Sequence, residues 1–389
     1  PFAARAQDRK ARAILASHPE LSCTGRAQPV PATWGVFEDV LCAGNEATYA
    51  LVGDVLREVT DVFPSRIVHV GGDEVPKARW STCRKCRAAM AREKLDADGL
   101  QGRFLARVGA MLHARGRRVL AWDDALEGGL PEDGAVVAWQ GLARAEKAAR
   151  AGHDVLVAPG DVTYFNYWQS RSGAEPGHEG LIPWTRVLAF DPTPPGLDAR
   201  AAARVLGGEG ALWTEYVTTQ EQLDTLVLPR MAALAEALWS APPSSERSFA
   251  ARFAAQRRLL DASGVSYFVA PPEGLRAKKV FLDEATLALA APAIHPDGVV
   301  RFTLDGSEPT SASPVFDGPR PVRETTRIAA RLFLPGGRAS PVVRTVFERV
   351  ALSPALVRPR ATPGVRFAGH RATPLARRAW SSEEFAGCS

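Results

Sequence analysis

The run His69-Val70-Gly71-Gly72-Asp73-Glu74-Val75 places two carboxylates side by side. Such a pair can protonate a leaving group and later activate water, provided both side chains reach one site. Adjacent carboxylates also disfavour each other's charge, which raises at least one pKa toward the range of a general acid. Residues 66–70 read as a short buried strand, bounded by Pro64-Ser65 before it and the glycines after it. Neighbouring side chains on a strand point to opposite faces, so Asp73 and Glu74 converge only if the backbone turns. Gly71 and Gly72 permit that turn, because glycine takes positive φ and allows close approach. A bare Asp-Glu pair is most often a solvated acidic turn. Here His69, the glycines and the residues downstream favour chemistry.

The elements that would position this pair recur along the chain. Tyr49, Val52, Leu56, Val59 and Phe63 repeat at helical steps over 46–63, and Phe104, Leu105, Val108 and Leu112 do so over about 98–115. Short runs that are apolar on both faces, as buried parallel strands are, lie at 118–122, 135–139, 154–158 and 205–212. Each leads into aromatic or acidic residues: Trp122 with Asp123-Asp124, Trp139, the segment from Tyr164 through Asn166 to Gln169, and Trp213-Thr214-Glu215. Residues 1–20 read as helical and basic, 142–151 as a short helix, and 246–262 as a last one. Thr219 and Gln222 open a helix in a capping-box pattern that Pro229 interrupts.

Strands alternating with helices predict parallel β/α units, and candidate residues just past each strand fit an α/β (β/α)8 TIM barrel. Five strands are visible and none precedes residue 66. The expectation is therefore an incomplete barrel of about five C-terminal β/α units, lacking roughly its first three. Past Ala270-Pro271-Pro272-Glu273-Gly274 the period changes. Alternating runs at 299–304, 326–333 and 342–347 predict a small all-β, immunoglobulin-like sandwich. The expected division is 1–272 for a partial catalytic barrel, 273–349 for the sandwich, and 350–389 for a Pro/Arg-rich tail, disordered or the start of a truncated module.

Composition excludes several classes. The 389 residues are 46% hydrophobic with 9 Trp and 16 Phe, enough for a sizeable core. A net charge of +5, carried by Arg spread along the whole chain, is no concentrated phosphate-binding stripe, so no nucleic-acid partner is expected. No run of 18 apolar residues exists, so no membrane span is expected. Only seven His are present, and they are scattered. That disfavours a metal-dependent hydrolase built on His69, Asp73 and Glu215, since such sites usually gather several His. No metal and no cofactor is expected. Cys23 and Cys42 flank an irregular loop and could pair, while Cys83 and Cys86 form a lone CxxC without the second pair that a zinc site wants. Disulfide or structural cysteines, and with them a periplasmic or extracellular setting, are the expectation.

The segments HVGGDEV, VLAWDDAL, VVAWQG, TYFNYWQ and GALWTEY occur in that order, and together they resemble glycoside hydrolase family 20, the β-N-acetylhexosaminidases. The resemblance runs from about Leu15 to Val269 and includes ELSCTG and WGVFEDVLCAGNEATYA. RFTLDGSEPTSASPVFDGP resembles the chitobiase/hexosaminidase C-terminal β domain. The resemblance implies an exo-acting enzyme that removes terminal N-acetylglucosamine or N-acetylgalactosamine with retention, its partner an amino-sugar glycan or chito-oligosaccharide. The substrate's own acetamido oxygen is then the nucleophile, a stated exception to the two-carboxylate rule. It implies Glu74 as general acid and base, Asp73 as partner of the acetamido N–H, and Tyr164 as donor to the acetamido oxygen. Trp122, Trp139 and Trp213 would wall the sugar, and Glu215 and Asn166 would hold ring hydroxyls. The family usually has Asp at the position of Asn166, and its early strands bring an Arg that grips hydroxyls. The competing reading is a non-catalytic N-acetylhexosamine-binding fragment. Configuration, linkage and oligomeric state are not legible at this level.

Overall fold

The computed structural model describes residues 14–30, 35–172, 175–240, 245–275 and 278–352. The expected tail beyond 352, and most of the expected N-terminal helix, lie outside these residues. A 3₁₀ turn at Pro19–Leu21 is followed by Ser22, which pairs with Leu41 in an antiparallel bridge. Helix α1 (Glu46–Val62) starts at Asn45, whose side chain accepts the Ala47 amide proton, and buries Tyr49, Val52 and Leu56. Strand β1 (Ile67–His69) follows, then three helices: α2 (Ala78–Thr82), α3 (Arg84–Glu93) and α4 (Ala97–His113).

Strands β2 (Arg118–Trp122), β3 (Ala135–Ala138) and β4 (Asp154–Val157) come next, with α5 (Leu142–Arg150) between the last two. A small parallel pair, β5 (Tyr167–Trp168) and β6 (His178–Leu181), lies between β4 and the last barrel strand, β7 (Val205–Gly208). The order β1-β2-β3-β4-β7 is parallel throughout, and among the described residues it does not close on itself. All four residues of β3 are buried, as befits a central strand with helices outside and side chains within. At the N-terminal ends of the strands Asp154 takes Arg118 at 2.9 Å and Arg204 at 3.0 Å. Despite its burial, these two guanidinium groups hold its carboxyl below the ordinary range. Opposed ends thus divide the labour: ion pairs at the bottom, functional side chains at the top.

Helices α6 (Gln220–Val227), α7 (Arg230–Trp239) and α8 (Glu246–Ala262) complete this part. Thr219 caps α6 by accepting the Gln222 amide proton at 3.2 Å, as its pattern predicts. Gln222 turns its own oxygen to the amide and hydroxyl of Thr218. The helix breaks before Pro229, where expected.

The C-terminal region has two facing sheets. Strands β8 (Lys278–Phe281), β10 (Val299–Thr303), β12 (Thr326–Phe333) and β13 (Val343–Arg349) form one sheet, in the order β10-β12-β13-β8. Strands β9 (Ala285–Leu287) and β11 (Arg320–Val322) form the other. Phe281, Leu287, Phe302, Ile328 and Phe347 fill the space between them. Ile294, Val300, Leu332 and Leu334 instead pack into the same core as Phe249, Phe253 and Tyr267. The β region is therefore seated on the barrel through apolar contact.

Candidate active site

The turn after β1 is built as its glycines suggest. Gly71 and Gly72 take φ of +83° and +101°, and Glu74 itself takes +49°. A left-handed conformation costs a non-glycine residue roughly 1–2 kcal/mol, so the surroundings must impose it. Three contacts do so. Gln101 of α4, only 2% exposed, donates from Nε2 to the Gly72 carbonyl at 2.7 Å. The Gly71 carbonyl accepts the Trp122 amide at 3.0 Å. The Glu74 amide donates to Asp124 Oδ1 at 3.3 Å. His69 accepts the Gly71 amide at Nδ1 at 3.1 Å and meets the Trp122 ring edge-on at 4.8 Å.

Asp123 and Asp124 support the neighbouring strand end. Asp124 accepts the Trp139 indole N–H at 2.8 Å, which fixes that ring. Asp123 accepts both the amide and the side-chain nitrogen of Gln140, at 3.1 and 2.8 Å. Burial pushes the Asp123 carboxyl up to about 6, with the charge of Asp124 adding to the effect and the Gln140 bonds opposing it. Next to this turn α4 and the segment after Leu126 touch backbone to backbone. A Cβ on Gly102 would stand 1.8 Å from the Gly128 carbonyl oxygen.

The other wall rests on a buried arginine. Arg230, fully buried at the start of α7, donates to the carbonyls of Tyr167 at 2.8 Å, Phe165 at 2.5 Å and Leu226 at 2.6 Å. Its Nη1 also reaches the Ile182 carbonyl at 3.3 Å. Burial lowers its pKa to about 9, which leaves it charged at neutral pH. Tyr164 is bridged to Ala211, so the Tyr164–Asn166 segment lies beside the chain leading to Trp213.

These elements enclose a cavity of about 200 Å³ at the C-terminal ends of the strands. All eight residues singled out from the sequence line it: Asp73, Glu74, Trp122, Trp139, Tyr164, Asn166, Trp213 and Glu215. Trp213 stands between Trp122 and Tyr164, with ring centroids 6.0 and 5.8 Å away. Asp73 is 2% exposed, whereas Glu215 stands in the open on the far side. Asn166 is buried, lines the cavity, and has no hydrogen-bond partner at Oδ1 within the protein. Two further lining residues, Tyr167 and His178, were not singled out. Tyr167 lay inside a noted motif. His178 reaches the cavity through the β5–β6 pairing, for which the sequence carries no periodic signal.

Residues 10–242 match the family description "Glycosyl hydrolase family 20, catalytic domain", and residues 281–345 match "Chitobiase/beta-hexosaminidase C-terminal domain". The first match covers more than half of the chain. The chain belongs to glycosyl hydrolase family 20. It is 35% identical over 367 residues to a beta-hexosaminidase of Porphyromonas gingivalis, covering 91% of this chain and 46% of that protein. It is 36% identical over 204 residues to a beta-hexosaminidase of Vibrio furnissii, covering 51% and 33% respectively. Among solved structures, an exo β-N-acetylglucosaminidase of Vibrio harveyi in complex with N-acetylglucosamine superposes with a TM-score of 0.59 at 28% identity, over 66% of this chain and 41% of the other. The N-acetyl-β-hexosaminidase of Streptomyces plicatus, in complex with Thio-NAglucal, superposes at 0.56 and 28% identity, over 67% and 50%. The chain thus spans about half, or less, of the length of the relatives it matches.

Proposed function

We propose that this chain carries the catalytic site of an exo-acting β-N-acetylhexosaminidase working by substrate-assisted catalysis with retention. One observation carries the reading: a buried Asp73 and an adjacent Glu74, forced together by a strained turn, face a cavity walled by three Trp and Tyr164. In this reading the terminal N-acetylglucosamine or N-acetylgalactosamine ring of a glycan or chito-oligosaccharide stacks on the indoles. Asp73 accepts the acetamido N–H and Tyr164 donates to the acetamido oxygen, which aims that oxygen at the anomeric carbon. The oxygen attacks as the glycosidic bond breaks, and Glu74 gives its proton to the leaving oxygen. Glu74, now a carboxylate, takes a proton from water, which opens the oxazolinium ring from the opposite face. Two inversions leave the configuration retained. Asn166 and Glu215 receive ring hydroxyls. A cavity of about 200 Å³ suits one sugar ring, hence removal from a chain end. A periplasmic or extracellular setting belongs to the same proposal, because polymeric amino-sugar glycans lie there.

Glu74→Gln should cut turnover of a chromogenic N-acetyl-β-glucosaminide by about 10²–10⁴-fold while retaining affinity for N-acetylglucosamine. Equal turnover by wild type and variant would refute the assignment. The open five-stranded sheet favours one competing reading, an N-acetylhexosamine-binding unit without turnover. Calorimetric binding with no hydrolysis, in this chain and in one extended upstream, would establish it instead.

A further inference from the structure

Four cysteines from three separated segments meet at one point beside the active-site turn. Cys23 follows the 3₁₀ turn, Cys42 follows the bridge at Leu41, and Cys83 and Cys86 begin α3. Their sulfurs all lie within 4.8 Å of one another. The shorter separations are 3.6 Å for Cys42–Cys86, 3.7 Å for Cys42–Cys83 and 3.8 Å for Cys23–Cys86. None of the four is in a disulfide. The pairing of Cys23 with Cys42 left open by the sequence is therefore not what the fold builds.

We propose that Cys23, Cys42, Cys83 and Cys86 bind a single structural zinc ion. Four thiolates at a Zn–S distance of about 2.3 Å stand about 3.8 Å apart along the edges of a tetrahedron. Three of the six separations match that spacing, and the other three fall within 4.8 Å. Disulfide sulfurs would stand about 2.05 Å apart, and each would choose one partner. Cys42 is instead almost equally distant from Cys83 and Cys86. A multi-iron cluster divides the four thiolates among two or more irons and so spreads them wider than a single ion does. Apolar packing of small thiols explains burial, but not four sulfurs converging on one point.

The surroundings suit a thiolate site. Cys42 and Cys86 are fully buried and Cys83 is nearly so. Cys83 is the N-cap of the ten-residue α3 and Cys86 lies in its first turn, where the helix dipole favours negative charge. Gly44 lets the incoming loop lie on that helix end. A Cβ there would fall 2.4 Å from the Lys85 carbonyl carbon and 2.5 Å from the Cys86 nitrogen. All four positions are filled by protein, so the ion takes no substrate and serves the fold. It fastens the segments carrying Cys23 and Cys42 to α2 and α3, which directly follow the Asp73-Glu74 turn. The same contact includes the Trp80 indole on the Leu41 carbonyl at 3.0 Å and Arg79 on Asp39 at 3.0 Å.

The test is metal analysis of the purified chain by mass spectrometry, with a count of reactive thiols. One zinc per chain is expected. A strong chelator or mercurial should release it, expose four further thiols and lower the thermal midpoint. Cobalt reconstitution should give the visible spectrum of a tetrahedral tetrathiolate. Cys23→Ser, at the most exposed ligand, should keep the fold, shift that spectrum and lose metal to a chelator at least about tenfold faster. Absence of stoichiometric metal with two disulfides in peptide maps would overturn the proposal. So would four rapidly reactive thiols in the untreated protein, or stoichiometric iron in place of zinc.

Discussion

Gln101→Leu isolates what holds the Asp73-Glu74 turn in place. The substitution keeps the side chain's bulk inside α4 and removes the donor to the Gly72 carbonyl. Withdrawing a partner from a buried backbone carbonyl costs about 1–3 kcal/mol. The left-handed Glu74 already stores roughly 1–2 kcal/mol. The loss is thus of the same size as the strain that the contact opposes, and the turn is free to relax. A relaxation of about 1 Å at Glu74, the proposed proton donor, can cost about 10²-fold in rate. We expect kcat on a chromogenic N-acetyl-β-glucosaminide to fall about 10–100-fold on that basis. The thermal midpoint should drop by roughly 2–4 °C for each kcal/mol lost. A lowered midpoint with unchanged kcat would show that Gln101 only packs. If neither quantity moved, the turn would owe its shape to something else and the reasoning would fail.

Arg230→Met withdraws the guanidinium from four carbonyls and should destabilise the chain by about 3–5 kcal/mol. Arg230→Lys should not rescue it, since one ammonium lacks the planar fork that reaches them all; urea unfolding checks both. Two buried groups should give opposite pH effects. Burial lowers His295 from 6.5 to about 4, so its contribution is intact above 6.5 and lost as pH falls toward 4, by up to about 3 kcal/mol. Asp123 is raised from 3.8 to about 6, so the folded state holds its proton more tightly and loses up to about 3 kcal/mol as pH rises from 4 to 6. His295→Leu should therefore make stability rise, relative to wild type, on acidification from pH 7 to 4.5. Asp123→Asn should make it fall. Parallel unfolding curves for all three proteins at both pH values would refute both assignments.

The barrel strands were legible because each is a short apolar run ending in an aromatic or a carboxylate. The rule that such barrels carry function at strand ends then collected Trp122, Trp139 and Trp213 with the acids. The helices at 78–93 were not legible, since Ala78–Glu93 is crowded with Arg and Lys and holds to the core through Trp80, Cys83, Cys86, Ala89 and Met90, which form no continuous apolar stripe. Gln101 and Arg230 were invisible for another reason. A polar residue inside a helix carries no sign that its partner is a carbonyl 29 or 63 residues away. Strands β8, β9 and β11 are three or four residues long, and β8 and β11 carry Lys or Pro, so no alternation could develop. The cysteine cluster escaped because two of its members arrive singly from an irregular loop, where spacing rules see no pair.

Arg230 grips main-chain carbonyls, and that has a bearing on how such a pocket can diversify. The course of the chain around Phe165, Tyr167 and Ile182 is set from beneath by hydrogen bonds to main-chain carbonyls, which do not depend on the side chains of Tyr167 and Ile182. Substitutions at Asn166, Tyr167 or His178 can alter what the pocket greets without disturbing how the wall stands. The acid-bearing turn has no such licence, because its shape is written into Gly71, Gly72 and Gln101 themselves. New sugar preferences should therefore be selected, or engineered, on the Arg230 side of the cavity while the Glu74 side stays fixed.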